Sequence, residues 1–176
     1  RSFVFAAAEN PPIPSAEYEL LPVWAGHLAP FSGRFTGQKV FVTGGSSGIG
    51  LAAVLGFRME CADVVLAGSN EQKAKATYMA LLATQPHAAG CPTKPKLSYV
   101  VGNVANQTEA LGVVAEAIEI LGGLDAAVNV AGMAGVPGVQ VGEPRILELL
   151  GSPLDPHSLN VHGMLYTMHA EVKHFL

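Results

Sequence analysis

The sequence predicts an α/β protein built on a doubly wound parallel sheet, and three observations predict it. Short, near-continuous apolar runs alternate with helical segments four times between Gly33 and Leu176. A glycine cluster follows the first run directly and opens the first helix. Twenty glycines and many alanines and valines, with 7% aromatic residues, suit close packing of helices on a sheet.

The elements follow in order. Val40 to Thr43 (VFVT) reads as a buried strand, and the glycine-rich turn after it leads into a helix ending near Glu60. Val64 to Ala67 is the second strand, and Glu71 to Ala83 the helix that follows. Thr84 to Lys96 is a loop on its Pro and Gly content, and Leu97 to Val101 is the third strand. Asn106 with Glu109 three residues on marks a helix start, and Leu111, Val114, Ala115, Ile118 and Leu121 form its apolar stripe. Gly122 is placed as the C-cap. Ala126 to Val130 is the fourth strand, and a short helix is expected around Arg145 to Leu150. Asp155 and Pro156 then open the last helix, with Val161, Met164, Leu165, Met168, Val172 and Phe175 as its core face.

Residues 1–33 differ. Pro11, Pro12, Pro14, Pro22 and Pro30 break regular structure, so they read as an irregular extension to a domain spanning 34–176. The domain is expected to hold only the first four strands and their helices. The net charge of −4 argues against a nucleic-acid partner, which needs a basic face. The uncharged stretch from Ala126 to Gly142 is broken by four glycines and Pro137, so no membrane span is expected. Without a signal peptide, the cytoplasm is the expected location. Cys61 and Cys91 are expected to be free thiols, consistent with a reducing compartment. The histidines of the last helix (His162, His169, His174) lack the i,i+4 spacing of helical ligand pairs, and His157 stands alone. No metal site is expected.

Thr43 to Gly50 reads TGGSSGIG between a strand and a helix. In that position Gly44 permits the tight exit from the strand, Gly48 lets backbone approach a pyrophosphate, and Gly50 lets the helix pack on the sheet. The N–H groups and dipole at the helix start then bind phosphate. The segment has the TGxxxGxG spacing of the short-chain dehydrogenase/reductase family, and the resemblance extends over Arg34 to Leu176. Asn103-Val104 resembles the family's Asp-Val that places the adenine. Asn129-Val130-Ala131-Gly132 resembles its Asn-Asn-Ala-Gly, and Leu159 to Gly163 resembles the segment with its helix-borne catalytic Asn, here Asn160.

The resemblance implies a Rossmann-type fold and a nicotinamide dinucleotide held by Gly44, Ser46, Ser47, Gly48, Ile49, Gly50, Ser69, Asn70, Asn103, Val104, Asn129, Ala131 and Gly132. It implies hydride transfer to or from a small carbonyl or alcohol substrate. Three positions depart from the family: Cys61 replaces a helix-terminal Gly, Asn103 an Asp, and Val130 an Asn. No carboxylate stands at Gly68, Ser69 or Asn70 to repel a 2′-phosphate, and Lys73 lies one turn on, so NADP is favoured over NAD.

In the family a Tyr exchanges the proton, helped by a Lys four residues later. Tyr18, Tyr78, Tyr99 and Tyr166 are followed at that spacing by Pro22, Leu82, Asn103 and Ala170. The 176 residues therefore hold no Tyr-x-x-x-Lys segment. The chain is expected to be inactive as it stands, and to be part of a longer reductase. The alternative from another class is a catalytically inactive dinucleotide-binding or scaffold protein, and a methyltransferase of related fold is weaker. The fourth strand is expected to present an unpaired apolar edge, leaving homo-oligomer formation open.

Overall fold

The computed structural model describes residues 33–84, 91–133 and 156–176. The strands are β1 (Lys39–Thr43), β2 (Asp63–Gly68), β3 (Leu97–Val101) and β4 (Ala126–Asn129). The helices are α1 (Gly48–Met59), α2 (Glu71–Thr84), α3 (Gln107–Leu121) and α4 (Met164–Phe175), with a π-helical segment, Ser158–Gly163, leading into α4. All strands pair in parallel in the order β3-β2-β1-β4. The expected fold class stands. β4 is an edge strand among the described residues.

β1, β2 and β3 sit between two helical layers, whereas β4 is only half-buried. Phe41, Val65, Ala67 and Val100 join Ala110, Val113, Val114, Ala117 and Leu121 of α3 in one apolar cluster, against which Tyr166 and Ala170 also pack. Strand alternation turns Val40, Val42, Val64 and Leu66 to the other face, and they too are wholly buried. Val54, Leu55 and Leu81 of α1 and α2 are buried as well. Coverage of both faces explains why β1 and β2 read as continuous apolar runs.

Helix ends follow local chemistry. Asn106 Oδ1 accepts from the Glu109 N–H at 3.1 Å, as the spacing predicts. The Glu109 carboxylate instead accepts from the Asn103 N–H, at 2.8 Å. Gly122 closes α3 in the left-handed region at φ 70°. α1 closes with the N–H of Cys61 on the Arg58 carbonyl and that of Ala62 on the Phe57 carbonyl. This pattern needs a left-handed residue, and Cys61 supplies it at φ 70° where glycine would be unstrained.

Four expectations are corrected. Cys61 and Cys91 form a disulfide, so neither is a free thiol and the argument they gave for a reducing compartment falls away. Thirty residues of separation hid the pairing, which the fold makes by bringing the end of α1 beside the approach to β3. The α3 stripe is turned slightly: Val114 and Leu121 are buried as expected, but with Ala110, Val113 and Ala117. Leu111, Ala115 and Ile118 face a groove shared with His169, Ala170 and Lys173.

The last helix is rotated away from its expected face. Gly163, Thr167 and Glu171 are buried, whereas Val161, Met164, Leu165, Met168, Val172 and Phe175 are exposed. Close approach sets the rotation, because a Cβ on Gly163 would stand 3.2 Å from both Val104 Cγ2 and the Val104 carbonyl oxygen. His157 is not isolated either, since its ring meets His162 edge-on at 4.8 Å. Pro156 is helical, while Asp155, the short helix expected at Arg145 to Leu150 and all but the last residue of the expected extension lie outside the described residues. Among the described residues no helix is long and apolar enough to cross a membrane, and no three His, Cys, Asp or Glu side chains group as metal ligands would.

Candidate dinucleotide-binding site

Parallel pairing gathers the strands' carboxyl ends on one edge. Thr43 lies opposite both Ala67 and Asn129, and Gly68 lies opposite Val101. The segments carrying the expected coenzyme-binding residues all emerge there. The chain steps outward from β1 to β2 and β3, then returns to β4 on the other side of β1. Such a reversal opens a crevice above the first strand.

The turn filling the floor of that crevice tolerates few side chains. Gly44 has φ 66°, and a Cβ there would stand 2.9 Å from Ala131 Cα. A Cβ on Gly45 would stand 2.6 Å from Leu66 Cβ, and one on Gly50 would run into the Gly44 carbonyl. Gly48 is different: φ is 53°, yet nothing lies within 4 Å of an added Cβ. Backbone is therefore packed at Gly44, Gly45 and Gly50 and bare at Gly48.

Ser47 precedes α1 in an extended conformation and its side chain does not cap the helix. Leu51 N–H reaches back to the Ser47 carbonyl at 3.1 Å. The N–H groups of Gly48, Ile49 and Gly50 belong to the turn ahead of it, where a helix has no internal acceptors. No acidic residue stands in that turn, so its positive end is uncompensated. Ile49 projects outward, 78% exposed. Ser46 is turned inward: its carbonyl accepts from Thr77 Oγ1 at 3.1 Å and its hydroxyl lies against Gly68.

Ser69 and Asn70 are exposed at the end of β2. Asn70 Oδ1 caps α2 by accepting from the Lys73 N–H at 2.9 Å, which leaves its amide NH2 as the donor. Asn103 Oδ1 accepts from the Ala105 N–H at 3.1 Å in a local turn, and Val104 is buried against Gly163. Beyond β4, Gly132 faces Asn160, whose Oδ1 would lie 3.1 Å from an added Cβ. The Asn160 amide pairs with Met133 twice, accepting from its N–H and donating to its carbonyl, each at 2.9 Å. Asn160 sits in the π-helical segment, a departure from the α-helical ladder that recurs at functional sites.

Two buried polar residues were missed by the sequence reading. Thr43 Oγ1 accepts from the N–H groups of Val130 and Ala131 at 3.1 and 3.2 Å and meets Asn129 Oδ1 at 3.4 Å. Glu171 Oε2 accepts from Asn129 Nδ2 at 2.7 Å. Burial raises the Glu171 pKa, against a smaller lowering by the Asn129 hydrogen bond. Thr43 belonged to the quoted motif but was treated only as its strand end. Glu171 gave no signal, because a carboxylate in an amphipathic helix reads as solvated.

A short-chain dehydrogenase family model matches residues 38–176. The chain is 38% identical over 104 residues to a glucose 1-dehydrogenase of Gluconobacter oxydans (strain 621H), a match covering 59% of this chain and 36% of that protein. It is 35% identical over 136 residues to the oxidoreductase YghA of Escherichia coli (strain K12), covering 77% of this chain and 42% of the relative. The fold resembles crystal structures of a levodione reductase (TM-score 0.63, 24% identity, 80% of this chain and 50% of that one) and an NAD+-bound xylitol dehydrogenase (TM-score 0.63, 18% identity, 81% and 49%). It also resembles a short-chain dehydrogenase from Burkholderia cenocepacia J2315 in complex with NADP (TM-score 0.60, 23% identity, 80% and 52%). The matched region thus spans well under half of these curated relatives and about half of the solved chains. With the family model matched across the whole α/β unit, the chain belongs to the short-chain dehydrogenase family.

Proposed function

We propose that this chain forms the coenzyme-binding part of an NAD(P)-dependent oxidoreductase that moves hydride between nicotinamide and the carbon of a ketone or secondary alcohol. The observation carrying this reading is the turn itself, packed at Gly44 and Gly50 yet bare at Gly48. A diphosphate lying over Gly48 would accept from the first-turn N–H groups without displacing any side chain. Ser47 and Ile49 border that mouth. The nicotinamide supplies the hydride chemistry. Asn129, Ala131 and Gly132 would shape the crevice floor on the nicotinamide side, and Asn103 and Val104 would border the adenine. The Asn103 oxygen has a second lone pair with which to accept from an adenine amino group.

Ser69, the Asn70 amide and Lys73 offer donors beyond β2, and no carboxylate stands at Gly68, Ser69 or Asn70, which favours a 2′-phosphate and hence NADP. Asn160 is the one residue of this chain proposed for the catalytic set, through its backbone carbonyl. No Tyr here has a Lys four residues on, so the chain by itself is expected to bind coenzyme without turning over. Parallel titrations with NADPH and NADH test the reading. Tighter NADPH binding is expected; tighter NADH binding would reverse the preference, and binding of neither would defeat the assignment. NADPH oxidation by this chain with a small ketone would contradict the expected lack of turnover.

A further inference from the structure

Glu171 is 3% exposed, and its Oε1 atom meets no hydrogen-bond partner among the described residues. A buried carboxylate on a helix face otherwise made of Gly163 and Thr167 needs a reason, since it is costly to desolvate. The reason lies in how Asn129 must be turned. Thr43 Oγ1 has two lone pairs and one hydrogen. The Val130 and Ala131 N–H groups occupy both lone pairs, so the hydroxyl hydrogen is left for Asn129 Oδ1. Asn129 must therefore show oxygen to Thr43 and NH2 to the opposite side. Glu171 Oε2 waits there as an acceptor at 2.7 Å, and either protonation state of the carboxyl leaves that oxygen able to accept.

The consequence reaches the mouth of the site. Ala131, held by Thr43, lies so close to Gly44 that a Cβ on the glycine would stand 2.9 Å from Ala131 Cα. We propose that Glu171 is a positioning residue: by fixing the orientation of the Asn129 amide it holds Thr43 and Ala131 in place, and through them the backbone of the Gly44 turn. A helix on one layer is thereby tied to a binding mouth opened by the first strand. The link to coenzyme rests on the function proposed above, whereas the link to Ala131 does not.

Amide hydrogen exchange separates the two. In Glu171→Leu, exchange at Val130 and Ala131 is expected to speed up about tenfold or more, the scale of losing a hydrogen bond to a charged group. Exchange at Val113 in α3 should stay unchanged, and Glu171→Gln, which keeps an acceptor, should retain native protection. Above the raised Glu171 pKa, where both side chains are ionised, Asn129→Asp should lose protection by setting two carboxylates together, and the double variant Asn129→Asp with Glu171→Gln should regain it, donor and acceptor having traded places. Unchanged exchange at Val130 and Ala131 in Glu171→Leu, or in Asn129→Asp should the leucine variant not fold, overturns the proposal. So does failure of the double variant to recover protection. NADPH titration is read alongside: about tenfold weaker binding to Glu171→Leu is expected, with recovery in Glu171→Gln. If native protein binds no coenzyme, the exchange results still decide the role of Glu171, and only the proposed function fails.

Discussion

The carbonyl of Gly44 occupies the space that a Cβ on Gly50 would take. This contact presses the first turn of α1 onto the exit of β1 and fixes where the orphan N–H groups point. Not every glycine carries such a duty. Gly56 and Gly112 lie inside α1 and α3, and nothing stands within 4 Å of a Cβ added at either.

These glycines should respond in opposite ways to the same methyl group. Gly50→Ala is expected to cost about 1–3 kcal/mol through overpacking and to weaken coenzyme binding. Gly56→Ala and Gly112→Ala should each stabilise the fold by about 0.5–1 kcal/mol, because alanine is the better helix former. Chemical denaturation of the three variants measures both signs.

The Cys61–Cys91 bridge should be a stability element. Its ends are 30 residues apart, and closing a loop of that length in the unfolded chain is worth about 3–4 kcal/mol. Cys91→Ser should lose that amount. Cys61→Gly should lose about 1 kcal/mol less, since glycine takes φ 70° without strain. Thiol titration of the unfolded, unreduced protein should find both cysteines blocked.

Glu171 should give stability a pH dependence of defined sign. Its pKa is raised in the folded state by burial, above the ordinary carboxylate value of 4.5. Between that value and the raised one, the folded chain holds a proton that the unfolded chain has released. Its contribution to stability is therefore fully present at the acid end and lost as pH rises through this window. Denaturation midpoints of the native protein and Glu171→Gln should converge at low pH and separate above it, with the glutamine variant the more stable.

How much of this was legible in the sequence depended on how each element is held. The interior strands could be read because both faces are covered, which leaves a run such as Val40 to Val42 no polar position. The caps at Asn106 and Gly122 could be read because their chemistry is local. The face of α4 could not. Met164, Leu165 and Met168 make the larger apolar stripe, but the sheet accepts the side where Gly163 lets helix and Val104 backbone meet. Glu171 followed into the interior because Asn129 offers it a donor there. The disulfide was hidden for a related reason, since only the folded path of the chain brings a helix end and a Pro-rich loop together. Within the site, TGGSSGIG exposed the glycines, whereas the Thr43–Asn129–Glu171 connection spans three elements with no spacing to reveal it.

The bare N–H groups at the start of α1 are proposed to hold the diphosphate of a nicotinamide coenzyme. Backbone amide resonances of Gly48, Ile49 and Gly50, followed by NMR during NADPH addition, test this most directly. Saturable shifts are expected at these three amides, larger than those across α3. Saturating coenzyme that leaves all three unmoved, or that shifts only resonances away from this turn, would contradict it.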